Sequence, residues 1–66
     1  MDSRKIGNRL IELRKDTSRE KMANDLGISM SALAMYEQGN RIPRDEIKIK
    51  IALYFGKTVQ EIFFED

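Results

Sequence analysis

At 66 residues the chain has room for a single domain, and its core must be small. Cysteine and histidine are both absent, which excludes disulfides, thiolate metal sites, cysteine nucleophiles and the usual imidazole base. A formal charge of +1, with 41% apolar and 35% charged residues, describes a compact soluble domain and excludes a disordered tail.

The longest unbroken apolar run is Ile51 to Phe55, far short of a bilayer span. The N-terminal "MDSRKIGNRL" lacks the apolar stretch of a signal peptide, so a cytoplasmic protein without membrane contact is expected. Charge is unevenly spread. The first 21 residues hold Arg4, Lys5, Arg9, Arg14, Lys15, Arg19 and Lys21 against Asp2, Glu12, Asp16 and Glu20. The end of the chain carries Glu61, Glu65 and Asp66 and no basic group, so a basic side and an acidic end are expected. On charge alone, an ordinary solvated surface is the favoured account of such a pattern.

Five short helices follow from the spacing of apolar residues and the punctuation between them. The first spans about Ser3 to Lys15, capped by Asp2 or Ser3, with Ile6, Leu10 and Leu13 on one stripe and Ile11 beside it. Gly7 lowers its helicity and suits a close approach by another helix. The second opens at "TSRE", where Thr17 and Glu20 have capping-box spacing; Met22, Ala23 and Leu26 form its inner face and Gly27 ends it. The third starts after Ser29 and runs to about Gln38, with Leu33 and Tyr36 inward and Gly39 as its stop. The fourth begins near "PRDE", with Pro43 suited to a first turn and Asp45 and Glu46 to the positive end of the helix dipole. Its apolar face is Ile47, Ile51, Tyr54 and Phe55. The fifth opens at "TVQE", another capping-box spacing, and carries Val59, Ile62 and Phe63. No strand of useful length, linker or internal repeat interrupts this all-α reading of residues 1–66.

The second and third helices are joined by "GIS", the short glycine-led junction of a helix-turn-helix. Ala23 is small enough to let the pair pack closely, and Ile28 can plug the turn. The longer pattern "SREKMANDLGISMSALAMYEQG", followed by Pro43, "IKIALYFGKTVQEIF" and its closing "EIF", resembles the Cro/CI-type (XRE) helix-turn-helix family. The resemblance runs from about Ile6 to Phe63. It implies a five-helix, lambda-repressor-like DNA-binding domain: a sequence-specific transcriptional regulator, typically a repressor, of bacterial, phage or mobile-element origin. Such a protein binds double-stranded DNA as a homodimer with its third helix in the major groove. Two departures stand out. "RKDTSRE" is about two residues shorter than the family's usual connection between its first two helices. Arg19 also replaces the glutamine that commonly opens the second helix and touches a phosphate, a change that preserves or strengthens such a contact.

By position in this pattern, Met30, Ser31, Ala34 and Met35 face outward toward bases. They contain no bidentate hydrogen-bonding pair, and three readings stay open. The helix reads DNA through shape and thymine-methyl contacts; or it has become a protein-binding face, as in an antirepressor or adaptor, since methionine suits adaptable interfaces; or these side chains pack locally and read nothing. Arg19, Ser29, Asn40, Arg41 and Arg44 are the candidate phosphate contacts, with Arg14 and Lys15 weaker ones. Lys48, Lys50 and Lys57 read as surface. Glu37 suits holding a neighbouring basic group or backbone in place, and Tyr36 suits the core with a hydrogen-bonded hydroxyl. Val59, Ile62, Phe63 and Phe64 are the candidate dimer seam. No catalytic constellation, metal site, cofactor site or small-molecule site is assembled by these residue types, so an enzyme is not expected.

Overall fold

The computed structural model describes residues 1–65; the terminal Asp66, one of the expected acidic tail residues, lies outside them. The described residues are all helical or looped: α1 (Ser3–Arg14), α2 (Arg19–Leu26), α3 (Met30–Glu37), α4 (Asp45–Phe55) and a short α5 (Gln60–Phe64). α1 packs chiefly on α3, with α2 against α3 and α4, and α5 returning to α1. No helix among the described residues is long and apolar enough to cross a membrane.

The periodic apolar residues become the core. Ile6, Leu10, Met22, Ala23, Leu26, Leu33, Tyr36, Ile47, Ile51, Ala52, Ile62 and Phe63 are all buried. Leu13, Ile28, Tyr54, Phe55 and Val59 are partly buried against them. Each fully buried large side chain stabilises the fold by roughly 1.5–3 kcal/mol, which makes every one of them significant in a domain this small. Gly7 lies at the α1–α3 contact, where a Cβ would meet the carbonyl oxygens of Glu37 at 2.4 Å and Tyr36 at 2.8 Å. Only a residue without a side chain allows α1 to lie this close to the end of α3.

α1 starts as expected. The Asp2 carboxylate accepts from the backbone N–H groups of Arg4 and Lys5 at 3.0 and 3.3 Å. These donors hold its pKa below the ordinary carboxylate value. α1 ends one residue before the expected Lys15, because the shortened connection turns sharply there. Lys15 has φ 51° and ψ −118°, and the Thr17 N–H donates to the Arg14 carbonyl at 3.0 Å. Those angles belong to the first corner of a type II′ turn, a place that glycine normally fills. The Thr17 carbonyl is also taken, by Arg14 Nη1 at 2.8 Å. The expected Thr17–Glu20 capping box therefore does not form. Ser18 caps α2 instead, its hydroxyl accepting from the Lys21 N–H at 3.1 Å.

α4 begins at Asp45, so Pro43 lies in the loop before it, fully buried, and is not in its first turn. The capping box at α5 does form: Thr58 N–H donates to Glu61 Oε1 at 2.9 Å and Glu61 N–H to Thr58 Oγ1 at 3.0 Å. α5 is wound with the wider π pitch, its Glu65 N–H reaching the Gln60 carbonyl at 3.0 Å. From α1, the Arg9 guanidinium donates to the carbonyls of Glu61, Ile62 and Glu65 and so ties down these C-terminal backbone groups. Lys48 is not a surface residue. It is 8% exposed, with its ammonium 5.3 Å from the Phe64 ring centre and 6.0 Å from that of Phe63. Its stem lies along apolar surface, and the charge is favoured by the ring faces and by Asp45 at 3.5 Å.

Candidate nucleic-acid interface

α2 ends in a Schellman motif. The Ile28 N–H reaches back to the Ala23 carbonyl at 3.0 Å and the Gly27 N–H to that of Asn24 at 3.1 Å. This closure needs a left-handed residue, and Gly27 supplies it at φ 71°. The chain then turns through half-buried Ile28 into Ser29, whose hydroxyl caps α3 by accepting from the Ala32 N–H at 3.0 Å. That bond uses an acceptor position on the hydroxyl oxygen and leaves its O–H free to donate outward.

α3 divides cleanly into two faces. Leu33, Tyr36 and Glu37 are buried. Met30 is 51% exposed, Ser31 is also exposed, and Ala34 and Met35 are partly exposed. At about 100° per residue these four cover an arc of roughly 140°, so they form one contiguous outward stripe. The local-packing reading of these residues does not hold for Met30 and Ser31. Tyr36 is a core residue, but its hydroxyl makes no hydrogen bond among the described residues.

Cations flank the stripe. After α3, Asn40, Arg41 and Arg44 are exposed. The Asn40 side chain bonds only to Gln38, at 3.1 Å, and Arg44 pairs with Glu46, also at 3.1 Å and with both side chains largely exposed. Such exposed pairs contribute little and exchange readily for another anion. Arg41 makes no ion pair among the described residues. At the other end of the motif, Arg19 opens α2. Its Nε donates to Glu37 Oε1 at 2.7 Å, and its side chain is 40% exposed.

Glu37 does hold basic groups in place. Its side chain is fully buried, and besides Arg19 it accepts from Arg14 Nε at 2.7 Å and Arg14 Nη2 at 3.2 Å. Arg14 is correspondingly withdrawn, 16% exposed and fully engaged with Glu37 and Thr17, so it is a structural residue and not a surface cation. On the far side of α2, Asp25 accepts from the Tyr54 hydroxyl at 2.8 Å and from Lys21 at 3.0 Å. The Tyr54 hydrogen bond, then Lys21, lowers the Asp25 pKa and correspondingly raises those of Tyr54 and Lys21.

The four expected seam residues are separated by the fold. Ile62 and Phe63 are 0% and 1% exposed and belong to the core of the single chain, because the short α5 turns both inward to cover α1. Val59 and Phe64 remain at the surface, lining an apolar cleft with Asp45, Lys48 and Ile49. Ile49, at 52% exposed, was not anticipated there, since a lone isoleucine between two lysines reads as an isolated surface residue.

A buried-faced α2, a glycine-led turn and a capped α3 with its opposite face open are the parts of a helix-turn-helix. Residues 10–62 match the helix-turn-helix family, and the chain belongs to it, as a Cro/CI-type member and a DNA-binding transcriptional regulator. Among solved structures the chain is similar to the restriction-modification controller protein C.AhdI from Aeromonas hydrophila. The two are 33% identical, with a TM-score of 0.84 over 94% of this chain and 97% of that one. No curated protein sequence matches the chain.

Proposed function

We propose that the chain binds a two-fold symmetric operator as a homodimer, with α3 in the major groove, and represses transcription from it. The observation that carries this is the open stripe of Met30, Ser31, Ala34 and Met35, flanked by Arg19 on one side and Arg41 and Arg44 on the other. Phosphates are held by those arginines, by the free hydroxyl proton of Ser29 and by Asn40. Bases are read by Ser31 and by methyl contacts from Met30, Ala34 and Met35, which suit thymine-rich half-sites. A good bidentate pair contributes about 1–3 kcal/mol of base discrimination, and the stripe has none, so sequence preference is modest and affinity is led by the backbone. The likeness to a restriction-modification controller supports genes of that kind as the target.

The apolar cleft of Ile49, Val59 and Phe64 supports a second subunit docking there. A two-fold operator needs two readers related by the same axis, and a self-complementary apolar patch supplies one. Selection from a pool of random duplexes, at low and then raised salt, tests the proposal. It predicts a recovered palindrome with thymine-rich half-sites. Duplexes that bind without enrichment would leave a backbone binder and remove the operator. No recovery at any salt would move the search to protein partners of the Met-Ala face.

A further inference from the structure

We infer that Glu37 is a positioning residue for DNA binding: it aims the Arg19 guanidinium so that both of its terminal nitrogens face a backbone phosphate. The inference rests on the DNA-binding reading above and adds a part to it. One carboxylate serves two arginines, so the cluster carries a surplus positive charge. The geometry decides which arginine presents it. Arg14 directs Nε and Nη2 at Glu37 and Nη1 at the Thr17 carbonyl, and it is 16% exposed. Arg19 gives Glu37 only its Nε, at 2.7 Å, and stays 40% exposed. Its Nη1 and Nη2 have no partner among the described residues.

A guanidinium held by its Nε presents its remaining edge as a fixed two-pronged donor, the shape that matches a phosphate. A free arginine must lose its rotamer freedom on binding DNA, whereas this one has lost much of it already in the fold. Lysine cannot do the same. Its ammonium is a point charge without a planar fork, so a contact with Glu37 leaves no fixed pair of donors for the phosphate.

The test uses the full chain and one duplex recovered by selection. Dissociation constants are measured across a salt series for the wild type, Arg19→Ala, Arg19→Lys, Glu37→Gln and the Arg19→Ala/Glu37→Gln double variant, with thermal melts alongside. Arg19→Ala is expected to weaken binding about tenfold and to reduce the salt slope by about 0.9, the value of one phosphate. Arg19→Lys keeps the slope but loses several-fold in affinity. Glu37→Gln weakens binding while Arg19 is present and adds nothing once Arg19 is alanine, although it lowers the melting temperature in both backgrounds. An equal loss of affinity in both backgrounds, or an unchanged slope in Arg19→Ala, overturns the inference. Should Glu37→Gln fail to fold, the lysine variant decides, and lysine binding as tightly as arginine overturns it. A wild-type chain with no salt-sensitive duplex binding defeats the DNA reading itself, an outcome distinct from all of these.

Discussion

At the scale of single residues, Lys15 and Gly7 stand in each other's natural conditions. Lys15 has a side chain where the backbone asks for none, at φ 51°. Strain of this kind costs on the order of 1–3 kcal/mol, part of which glycine returns through its more flexible unfolded chain. Lys15→Gly is therefore expected to raise stability by about 1 kcal/mol, read as a higher urea midpoint with an unchanged slope. Gly7 is the reverse case. Alanine there gains about 1 kcal/mol of helix propensity, but its Cβ would lie 2.4 Å from a backbone oxygen that cannot swing aside. Overpacking of about 3 kcal/mol outweighs the gain, so Gly7→Ala is expected to lower stability by about 2 kcal/mol in the same titration. A neutral Gly7→Ala would mean that α1 and α3 do not approach so closely. The close approach was legible from a glycine inside a helical stripe. The Lys15 turn was not, because nothing local in "RKDTS" marks it; its one sign was a connection two residues short.

At the scale of elements, the inner faces were readable because 3.6-residue periodicity is a local property. Ile6 with Leu10, Met22 with Ala23 and Leu26, and Leu33 with Tyr36 announce which side of each helix is buried. What was not readable depended on partners distant in sequence. Two adjacent hydroxyls, Thr17 and Ser18, could cap α2, and Ser18 does so, while the Thr17 N–H and carbonyl are both tied to Arg14. Arg9 meets α5 across more than fifty positions. In "EIFF" the sequence offers three consecutive apolar residues, and only the packing of α5 on α1 separates the buried Ile62 and Phe63 from the exposed Phe64. The α5 cap carries a pH prediction. The Thr58 backbone N–H and then its hydroxyl lower the Glu61 pKa in the folded state below its ordinary 4.5. A carboxylate whose folded pKa is depressed contributes stability that is complete above the unfolded value and is lost as the pH falls through the folded one. The melting temperature is therefore expected to decline below about pH 4.5, with Asp2 and Asp25 adding to the decline in the same direction. Glu61→Gln should shallow that acid limb in a pH series of thermal melts, and an unchanged limb would show that the cap contributes nothing.

At the scale of the whole molecule, two surfaces face outward with different chemistry: the α3 stripe with its flanking arginines, and the apolar cleft of Ile49, Val59 and Phe64. The first was legible in the sequence almost completely, since the outward positions of a capped helix follow from its inward ones. Its partnership between Arg19 and Glu37 was only half legible, because Glu37 signalled a basic neighbour without saying which. If the cleft is the dimer seam, Phe64→Glu places like charges across the two-fold axis while leaving the buried Ile62 and Phe63 in place. Sedimentation is expected to show a monomer that melts close to the wild type, with operator affinity reduced tenfold or more as the second reader is lost. A variant that stays dimeric would remove the cleft from the interface. Backbone amide shifts of the isotope-labelled chain, followed as a selected duplex is added at low salt, decide whether α3 and its flanking arginines form the DNA-binding surface. Such a surface places the largest shifts at Arg19, from Ser29 to Met35, and from Asn40 to Arg44. Large shifts confined to the Lys21–Tyr54 side or to the Phe64 cleft, with Ser29 to Met35 unmoved, would contradict it.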